Sequence, residues 1–478
     1  MEEVHLLKSH PMFNASDYHS LLQQLEQFFN RSTAPAPVTQ PLAPTVLRDR
    51  LDLELPAVGK PLAELHSDIA AYLNVAVKTA HPAYFNQLWG GFNPAGFMGE
   101  LLTSAANTSM YTYEVAPAAT LIERTLVQKM GQLAGFSNPE GQFTTGGSNG
   151  NLMAMAIARH QNYPLAKQQG MGEAKLVAFV SEEAHYSFAK AAHLLGIGTA
   201  QLWKVPTDSH GKMSVAALEQ LIAKAHAFGY RPFLVVGTAG TTVRGAYDPF
   251  EAIAAIARRE GLWFHVDGAW GAGVLLSPTH RHLMQGVEQA DSLVWDAHKM
   301  MGMTLMCSVL LVNQRGTLSN TFAAGDTGYL FHQDAAAETL DLGPSTMHCG
   351  RRADAVKLWL AWKHLGDRGW SALIDRYFAL AAYAESLIAA SDDLELVGPR
   401  QSLNLCFQYR GRHRDSNAIT LAVRQALQEA GTALVNYAQV GDRTVFRLVT
   451  CNNQTRPEHL ENFFSALVQK ADELDQPA

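Results

Sequence analysis

The chain contains little cysteine and no long apolar segment. Its four cysteines lie far apart among 478 residues and form no C-x-x-C pair, so neither a disulfide framework nor a zinc site is expected. No apolar run approaches the ~20 residues that a transmembrane helix needs. The opening sequence MEEVHLLKSH lacks the basic and then apolar build of a secretory signal. We therefore predict a cytoplasmic protein that has no metal site and does not bind membranes.

Basic charge is also scarce. There are 37 lysines and arginines against 44 acidic residues, and the net charge is −7. This balance argues against a nucleic-acid partner, because proteins that bind nucleic acids usually carry a basic surface. Hydrophobic residues make up 47% of the chain and charged residues 17%, which is ordinary for a globular protein. The length allows a large core and more than one domain.

The N-terminal region combines a helix with an extended arm. Apolar residues recur at helical spacing over residues 17–29, which predicts an amphipathic helix. Residues 32–45 then include four prolines, which lack the N–H group that helix interiors and sheets need. Residues 1–78 are too thin to bury a core of their own. We therefore expect them to pack on a second subunit, and we predict a homodimer.

From about residue 79, short apolar runs alternate with helical segments. Runs that are apolar throughout are typical of strands buried on both faces of a parallel sheet. Helices are predicted between some of them, for example at residues 216–228 and 249–259, so the pattern indicates an α/β fold with a mostly parallel sheet. Residues 79–353 are predicted as a large domain, and residues 354–478, which begin with a helix, as a small C-terminal α/β domain. The predicted strands cover residues 176–180, 233–237, 262–266, 292–295 and 307–312.

Two chemically capable residues follow these predicted strands. Asp267 comes directly after residues 262–266, and Lys299 follows residues 292–295 closely, in an apolar stretch of sequence that favours a free, nucleophilic amine. Ligands of parallel sheets bind at the carboxyl ends of the strands. A pyridoxal phosphate (PLP) site contains two such groups: a lysine that forms a Schiff base with the cofactor, and an acid that keeps the pyridine nitrogen protonated. Taken alone, a surface lysine and a helix-capping aspartate would give the same pattern.

The sequence around these residues carries a specific resemblance. HVDGAW at 265–270, RHLMQG at 281–286 and HKMMG at 298–302 are similar to strings of the group II PLP-dependent amino-acid decarboxylases, in the glutamate and cysteine sulfinate decarboxylase branch. The resemblance implies PLP fold-type I, the fold of aspartate aminotransferase. It also implies three catalytic residues. Lys299 would carry the cofactor, Asp267 would pair with its pyridine nitrogen, and His185 would stack on its ring.

Further cofactor contacts follow from the same resemblance. The string TTGGSNGN at 144–151 precedes a helical run, and its glycines permit the close backbone approach that a phosphate group needs. A Gly-Gly-Ser string also occurs in ordinary tight turns. By resemblance, the phosphate contacts are Gly147, Ser148 and Asn149. The remaining predicted cofactor contacts are Thr238, Ala269 and His298.

Substrate contacts are predicted from two other strings. HPAYFNQLW at 81–89 resembles the substrate loop of this branch and makes Asn86 and Gln87 candidates. Trp89 stands where glutamate enzymes tend to have a small polar residue, so it is expected to shorten the pocket and favour shorter acids. Arg447 corresponds to an arginine that faces the substrate carboxylate, which a guanidinium group can hold through two hydrogen bonds. An arginine on the solvent-exposed face of a strand would give the same alternation of apolar and polar residues.

Residues 329–349 depart from the family pattern. Many group II enzymes have a tyrosine there that returns a proton to the substrate carbon, and the corresponding residue here is Leu340. His185, Lys299 or a water molecule would then have to supply this proton. We predict that the chain uses PLP to convert cysteine sulfinate, aspartate or glutamate to an amine and CO₂. Three alternatives stay open: a diaminobutyrate or aromatic amino-acid decarboxylase, a decarboxylating aldehyde synthase, and a catalytically silent PLP-binding protein.

Overall fold

A computed structural model describes residues 15–33, 35–325 and 340–477. In this part of the chain, helices accompany two β-sheets. The strands are β1 (Tyr84–Phe85), β2 (Glu140–Thr144), β3 (Leu176–Ser181), β4 (Leu202–Val205), β5 (Arg231–Thr238), β6 (Trp263–Asp267), β7 (Ser292–Asp296), β8 (Ser308–Val312), β9 (Leu394–Leu396), β10 (Asn404–Tyr409), β11 (Leu434–Val440) and β12 (Arg443–Val449). The helices are α1 (Ala15–Asn30), α2 (Pro44–Leu51), α3 (Leu65–Val75), α4 (Pro94–Ala106), α5 (Pro117–Leu133), α6 (Gly147–Asn162), α7 (Ala166–Gln169), α8 (Ser187–Leu194), α9 (Val215–Ala227), α10 (Phe250–Glu260), α11 (Thr317–Phe322), α12 (Ala355–Ala389), α13 (Ser416–Glu429) and α14 (Pro457–Leu474).

The larger sheet has seven strands in the order β2-β8-β7-β6-β5-β3-β4. All neighbours pair in parallel except for β8, which runs antiparallel to both β7 and β2. The predicted α/β fold with a mostly parallel sheet is therefore confirmed, and each of the five predicted strands is present. The sequence did not predict β2 and β4. Their residues are partly polar, so they lack the continuous apolar runs that mark the other strands.

Alternating side chains of these strands enter two separate cores. In β3, Val177 and Phe179 belong to the main core, which also contains residues from α5, α9 and α10. Leu176, Ala178 and Val180 belong to a second core on the opposite face, which is covered by α6 and α8. This division follows from the two-residue period of a strand, which turns successive side chains to opposite faces. Burial on both faces explains why the strands are apolar throughout.

The smaller sheet has five strands in the order β1-β11-β12-β10-β9. Most of it comes from the C-terminal part of the chain, as predicted. Strand β1, however, lies within the range predicted for the large domain and pairs in parallel with β11. The short segment Tyr84–Phe85 is buried and completes the edge of this sheet. The division into residues 1–78, 79–353 and 354–478 stays a prediction.

A long broken helix leads from the larger sheet to the smaller one. The helix predicted at residues 354–365 is present, and α12 continues to Ala389 after an interruption at Gly366. Gly366 has φ of 62°, a left-handed conformation that suits glycine. The predicted end at residue 365 therefore coincides with a real break in the helix, and the second half of α12 packs against the smaller sheet.

The N-terminal region consists of a helix followed by an extended arm. The predicted helix corresponds to α1, and α2 begins at Pro44, where a missing N–H group is tolerated. Several apolar side chains of the arm face solvent, and Leu55 is 93% exposed. Within residues 15–33, 35–325 and 340–477, no helix is both long enough and apolar enough to cross a bilayer.

Candidate active site

Three adjacent parallel strands of the larger sheet end in polar residues at one edge. β5 ends at Thr238, β6 at Asp267 and β7 at Asp296. Because parallel strands share one direction, residues at their carboxyl ends meet at the same edge of the sheet. A cavity of about 250 Å³ opens there. Its walls include eight of the nine residues predicted to contact the cofactor: Gly147, Ser148, His185, Thr238, Asp267, Ala269, His298 and Lys299.

The carboxylate of Asp267 is buried in the wall of this cavity and held by two donors. The amide of Asn151 donates to Oδ2 over 2.9 Å, and the backbone N–H of Ala269 donates to Oδ1 over 3.2 Å. These contacts fix the plane of the carboxylate. A carboxylate has about four acceptor positions, so further positions remain for a donor in the cavity. This arrangement suits a partner such as a protonated pyridine nitrogen.

Lys299 forms an ion pair with a second acid, Asp296. Its Nζ lies 3.0 Å from Oδ2 of Asp296, because the backbone N–H of Lys299 donates to the Asp296 carbonyl and closes a turn. Burial would raise the pKa of Asp296, but the positive charge of Lys299, with His298 beside it, holds this pKa below its usual value. The sequence predicted an apolar surrounding for the Lys299 amine. That prediction was wrong, since the turn folds the amine back onto a carboxylate.

The N-terminus of α6 forms a narrow cradle next to this ion pair. Gly146, with φ of 129°, leads the chain into the helix in a conformation that favours glycine. A Cβ atom on Gly147 would lie 2.7 Å from Oδ2 of Asp296 and 3.0 Å from Cβ of Ala269, so a side chain there would fill the cradle. Backbone N–H groups at a helix start have no partner within the helix and attract anions. The cradle therefore suits a phosphate group.

His185 lies in the loop between β3 and α8 and presents its ring to the cavity. Its Nδ1 accepts a hydrogen bond from the backbone N–H of Ser187 over 3.3 Å, so a neutral ring carries its proton on Nε2. Burial lowers the pKa of His185, and the charge of Asp267 opposes this in part. The ring is therefore neutral at neutral pH. A flat neutral ring at this wall can stack on an aromatic cofactor.

His298 and Thr238 supply the remaining predicted cofactor wall. The ring of His298 is buried, and its Nδ1 lies 2.9 Å from the carbonyl oxygen of Cys307. The backbone N–H of Thr238 donates to Asp248 over 2.7 Å, and its hydroxyl is buried without a hydrogen-bond partner among the described residues. An unpaired buried hydroxyl is costly, so it marks a place where a bound group would supply a partner. Together with Lys299 and Asp267, these groups fit PLP.

The predicted substrate residues do not line the cavity within one chain. The Arg447 guanidinium group donates to the carbonyl oxygens of Thr242, over 3.1 Å, and Asn86, over 2.6 Å. Since Thr242 lines the cavity, Arg447 lies directly behind its wall. Gln87 is exposed, and the ring of Trp89 packs 5.7 Å from that of Tyr84. The structure thus gives Trp89 a place outside the cavity, and the roles of Asn86, Gln87, Trp89 and Arg447 stay predictions.

Asn149 and Leu340 also stand apart from the cavity walls. Asn149, the third predicted phosphate contact, has its amide 3.4 Å from the sulfur of Met347. Leu340 is partly buried at the start of a described segment, next to Asp341, whose carboxylate accepts the backbone N–H of Tyr113 over 2.7 Å. Most of the predicted loop, residues 329–339, lies outside the described residues. The source of the proton for the substrate carbon therefore stays open.

Sequence reasoning missed several residues that line the cavity, among them Asn151, Tyr186 and Asp296. Asp296 stands three residues before Lys299, and this spacing in a turn could have suggested the ion pair. Tyr186 adjoins His185, with ring centroids 4.2 Å apart. Asn151 lies in the first turns of α6, one helical turn after Gly147, where the helix faces the sheet. Only the packing of α6 against β6 reveals its contact with Asp267.

Comparison with known proteins gives a consistent result over most of the chain. The family model described as the pyridoxal-dependent decarboxylase conserved domain matches residues 44–410. Human cysteine sulfinic acid decarboxylase is 40% identical over 424 residues, which cover 86% of this chain and 86% of the human protein. The mouse enzyme of the same name is 39% identical over 441 residues, or 89% of this chain and 90% of its own length.

Solved structures agree with the sequence comparison. The crystal structure of mouse CSAD in its apo form superimposes with a TM-score of 0.91 and 36% identity, covering 96% of this chain and 99% of that one. The crystal structure of Oryza sativa TDC with PLP and tryptamine has a TM-score of 0.88 and 26% identity, covering 98% of this chain and 100% of that one. The buried acid, the lysine and the helix cradle stand at the edge of a sheet in a fold shared along nearly the entire length. The chain therefore belongs to the pyridoxal-dependent decarboxylase family, and its cofactor is PLP.

Proposed function

We propose that this enzyme removes the α-carboxyl group of a short acidic L-amino acid, with cysteine sulfinate as the first candidate and aspartate and glutamate as the others. The observation that carries this proposal is the 40% identity with human cysteine sulfinic acid decarboxylase, which extends over 86% of both chains. The position of Arg447 supports an acidic substrate. The buried guanidinium group of Arg447 donates to the carbonyl oxygen of Thr242, a residue of the cavity wall. Its charge makes the electrostatic potential at that wall more positive.

The described side chains suit distinct tasks in this reaction. PLP, when bound, supplies the electron sink for the charge that remains as CO₂ leaves. Lys299 is the group that would hold the cofactor, and Asp267 would accept a hydrogen bond from the protonated pyridine nitrogen. His185 would hold the ring flat from one side. The N-terminus of α6, with Gly147 and Ser148, would hold the phosphate group and so fix the distance between cofactor and sheet.

A substrate panel tests the proposal directly. Purified enzyme, saturated with PLP, is given cysteine sulfinate, aspartate, glutamate, diaminobutyrate, tyrosine and tryptophan, and both CO₂ and the amine product are measured. The Lys299→Ala variant serves as the blank, because it keeps the protein but lacks the amine that holds the cofactor. We expect kcat/KM to be highest for an acidic substrate and the Lys299→Ala rate to fall to background.

Three results would contradict the proposal in distinguishable ways. A preference for diaminobutyrate or an aromatic amino acid would leave the decarboxylase class intact but overturn the acidic substrate. Release of CO₂ with an aldehyde in place of the amine would identify a decarboxylating aldehyde synthase, as Leu340 at the usual tyrosine position allows. No CO₂ from any substrate, with PLP bound at full occupancy, would identify a silent PLP-binding protein.

We further propose that the enzyme works as a homodimer with shared active sites. One face of α4 is apolar but open to solvent, with Met98 63%, Leu101 52% and Leu102 49% exposed. Glu100, on the opposite side of the same helix, accepts a hydrogen bond from Thr304 over 3.1 Å, so α4 packs next to the turn after Lys299. Met306, in that turn, lines the cavity and is also exposed. We expect a second copy that packs on α4 to extend over this turn and reach the mouth of the cavity.

Sedimentation of a charged variant tests this interface. Leu101→Glu should weaken the dimer and lower activity together, because a buried unpaired charge is costly. Leu421→Glu, at a similarly exposed leucine on α13, is the matched control and should stay dimeric and active. The wild-type interface should exceed the ~2,000 Å² typical of obligate pairs. A wild-type monomer that is fully active at nanomolar concentration would refute the proposal.

The cytoplasm is the proposed location. All four cysteines are free thiols, three of them buried, and a reducing compartment would keep them so. Fractionation of cells that produce the native chain, with activity measured in each fraction, tests this. Activity in a membrane or secreted fraction would contradict it.

A further inference from the structure

Strand β6 directs three polar or amphipathic side chains to the same face of the sheet. Trp263, His265 and Asp267 stand at alternate positions, and successive residues of a strand point to opposite faces. Helix α6 covers this face and supplies Asn151. The neighbouring strand β7 supplies Ser292, which is the parallel register partner of His265. The fold thus places five hydrogen-bonding side chains in one buried row.

The distances within this row are those of hydrogen bonds at every step. Nε1 of Trp263 lies 2.8 Å from Oγ of Ser292, and the same Oγ lies 2.8 Å from Nδ1 of His265. The other ring nitrogen of His265, Nε2, lies 3.0 Å from Oδ1 of Asn151. The amide nitrogen of Asn151 then lies 2.9 Å from Oδ2 of Asp267. The row is therefore a continuous chain that ends on the acid in the cavity wall.

The two end residues of this hydrogen-bonded row allow only one direction of donation along it. An indole N–H can only donate, and a carboxylate can only accept. Asn151 must therefore point its NH₂ group at Asp267, which leaves its carbonyl oxygen facing His265. His265 must then donate from Nε2 and accept at Nδ1 from the hydroxyl of Ser292. That hydroxyl oxygen in turn accepts from Trp263, so every member is satisfied in a single arrangement.

The ionisation state of His265 agrees with this arrangement. Complete burial lowers the pKa of His265 to about 3, although an interaction with the backbone of Ser292 opposes the shift. The ring is neutral at physiological pH and carries one proton. A charged ring would present N–H groups on both sides and could not accept from Ser292. The tautomer with its proton on Nε2 is thus the one that the neighbours require.

We propose that this chain of hydrogen bonds orients Asp267. His265 and Asn151 are then positioning residues that hold its carboxylate toward the pyridine nitrogen of PLP. The proposal rests on the role assigned above to Asp267. Asn151 has a second function in the same position, because its amide nitrogen also lies 3.0 Å from Oγ of Ser187. Ser187 donates its backbone N–H to His185. One asparagine therefore links the group expected at the ring nitrogen with the group expected over the ring face.

Three substitutions of His265 separate positioning from simple packing. In His265→Gln the side-chain amide can take the place of Nε2 and still donate to Asn151. In His265→Asn the amide reaches only the place of Nδ1, so the donor to Asn151 is lost. His265→Phe fills the space and removes both contacts. Thermal unfolding and PLP occupancy are measured for all three, so that a variant that fails to fold is recognised.

The first readout needs neither substrate nor cofactor. Nitrogen-15 NMR of wild-type apoenzyme should show the His265 ring neutral and protonated at Nε2 from pH 6 to pH 8. Titration of the apoenzymes with PLP should then give an affinity about 10- to 100-fold weaker for His265→Asn and His265→Phe than for the wild type. His265→Gln should recover most of this loss. With ¹⁵N-labelled PLP, the pyridine nitrogen should lose its proton at a lower pH in the Asn and Phe variants.

Two outcomes would overturn the proposal. An Nδ1-protonated or charged His265 in the wild type would contradict the direction of the chain. Equal behaviour of folded His265→Gln and His265→Asn in PLP affinity and in pyridine titration would show that the ring only fills space. Neither readout depends on which amino acid is decarboxylated, so an error in the proposed substrate would leave this test intact.

Discussion

Replacement of Asp267 by asparagine removes one charge from the cavity wall and leaves the shape of the side chain nearly unchanged. Oδ1 accepts from the backbone of Ala269 and Oδ2 from Asn151, so either orientation of the new amide directs an NH₂ group at an existing donor. Loss of a hydrogen bond to a charged group costs ~1.5–3 kcal/mol. If that contact acts in the transition state, kcat should fall about 10- to 150-fold.

The assay measures kcat by CO₂ release at saturating substrate and PLP, with cofactor occupancy followed by absorbance. Asp291→Asn is the matched control. This acid is partly buried and accepts a backbone N–H, that of Phe264, over 2.7 Å, but it precedes β7 at the opposite edge of the sheet. We expect the control to keep its turnover even where it loses stability. An Asp267→Asn enzyme with full occupancy and kcat within about threefold of the wild type would refute the assigned role.

Four further predictions test the surrounding site. Borohydride reduction of the holoenzyme followed by peptide mapping should place the pyridoxyl group on Lys299, and recovery on another lysine would end that assignment. Arg447→Met should lower kcat/KM about 10- to 150-fold for acidic substrates and less for aromatic ones, whereas an equal loss for all would assign the arginine to the α-carboxylate or the fold. Because burial lowers the pKa of His185, the acid limb of kcat/KM that depends on this ring should lie below pH ~6.5, and a limb above that value would contradict a neutral ring. Arg351→Met breaks a buried pair with Glu123, in which two hydrogen bonds measure 2.7 and 2.5 Å, and should cost ~3–5 kcal/mol of stability in urea unfolding, whereas an unchanged midpoint would contradict this account.

Those parts of the fold that depend on burial could be predicted from the sequence. Strands β3, β5, β6, β7 and β8 are apolar throughout because both of their faces are covered, and such runs are visible without a structure. Strand β2, with the sequence EGQFT, is a strand because β8 pairs with it, and nothing in its own composition predicts that. The pairing of β1 with β11 joins segments about 350 residues apart, so no local pattern could reveal it.

The candidate site also contains residues that the sequence predicts and residues whose contacts depend on tertiary packing. Lys299 and Asp267 follow strands directly, so the direction of the parallel sheet alone brings them to one edge. The contact of Asn151 with Asp267 depends on how α6 packs on β6, which is a tertiary property. The ion pair of Asp296 with Lys299 depends on the turn that joins them, which the apolar residues around Lys299 in the sequence do not indicate. Arg447 is recognisable by resemblance, but its contacts with two backbone carbonyls follow from the path of distant segments.

The pairing of Lys299 with Asp296 also bears on how the enzyme is produced in a cell. A newly folded chain already has an internal counter-ion for the amine that later binds the cofactor, so folding need not wait for PLP. The same carboxylate also lies 3.6 Å from Nε2 of His298, so the acid keeps a polar neighbour in addition to the amine. Cells short of vitamin B6 should therefore accumulate a folded and protease-resistant chain. Such a reserve could be activated by cofactor alone, without new protein synthesis.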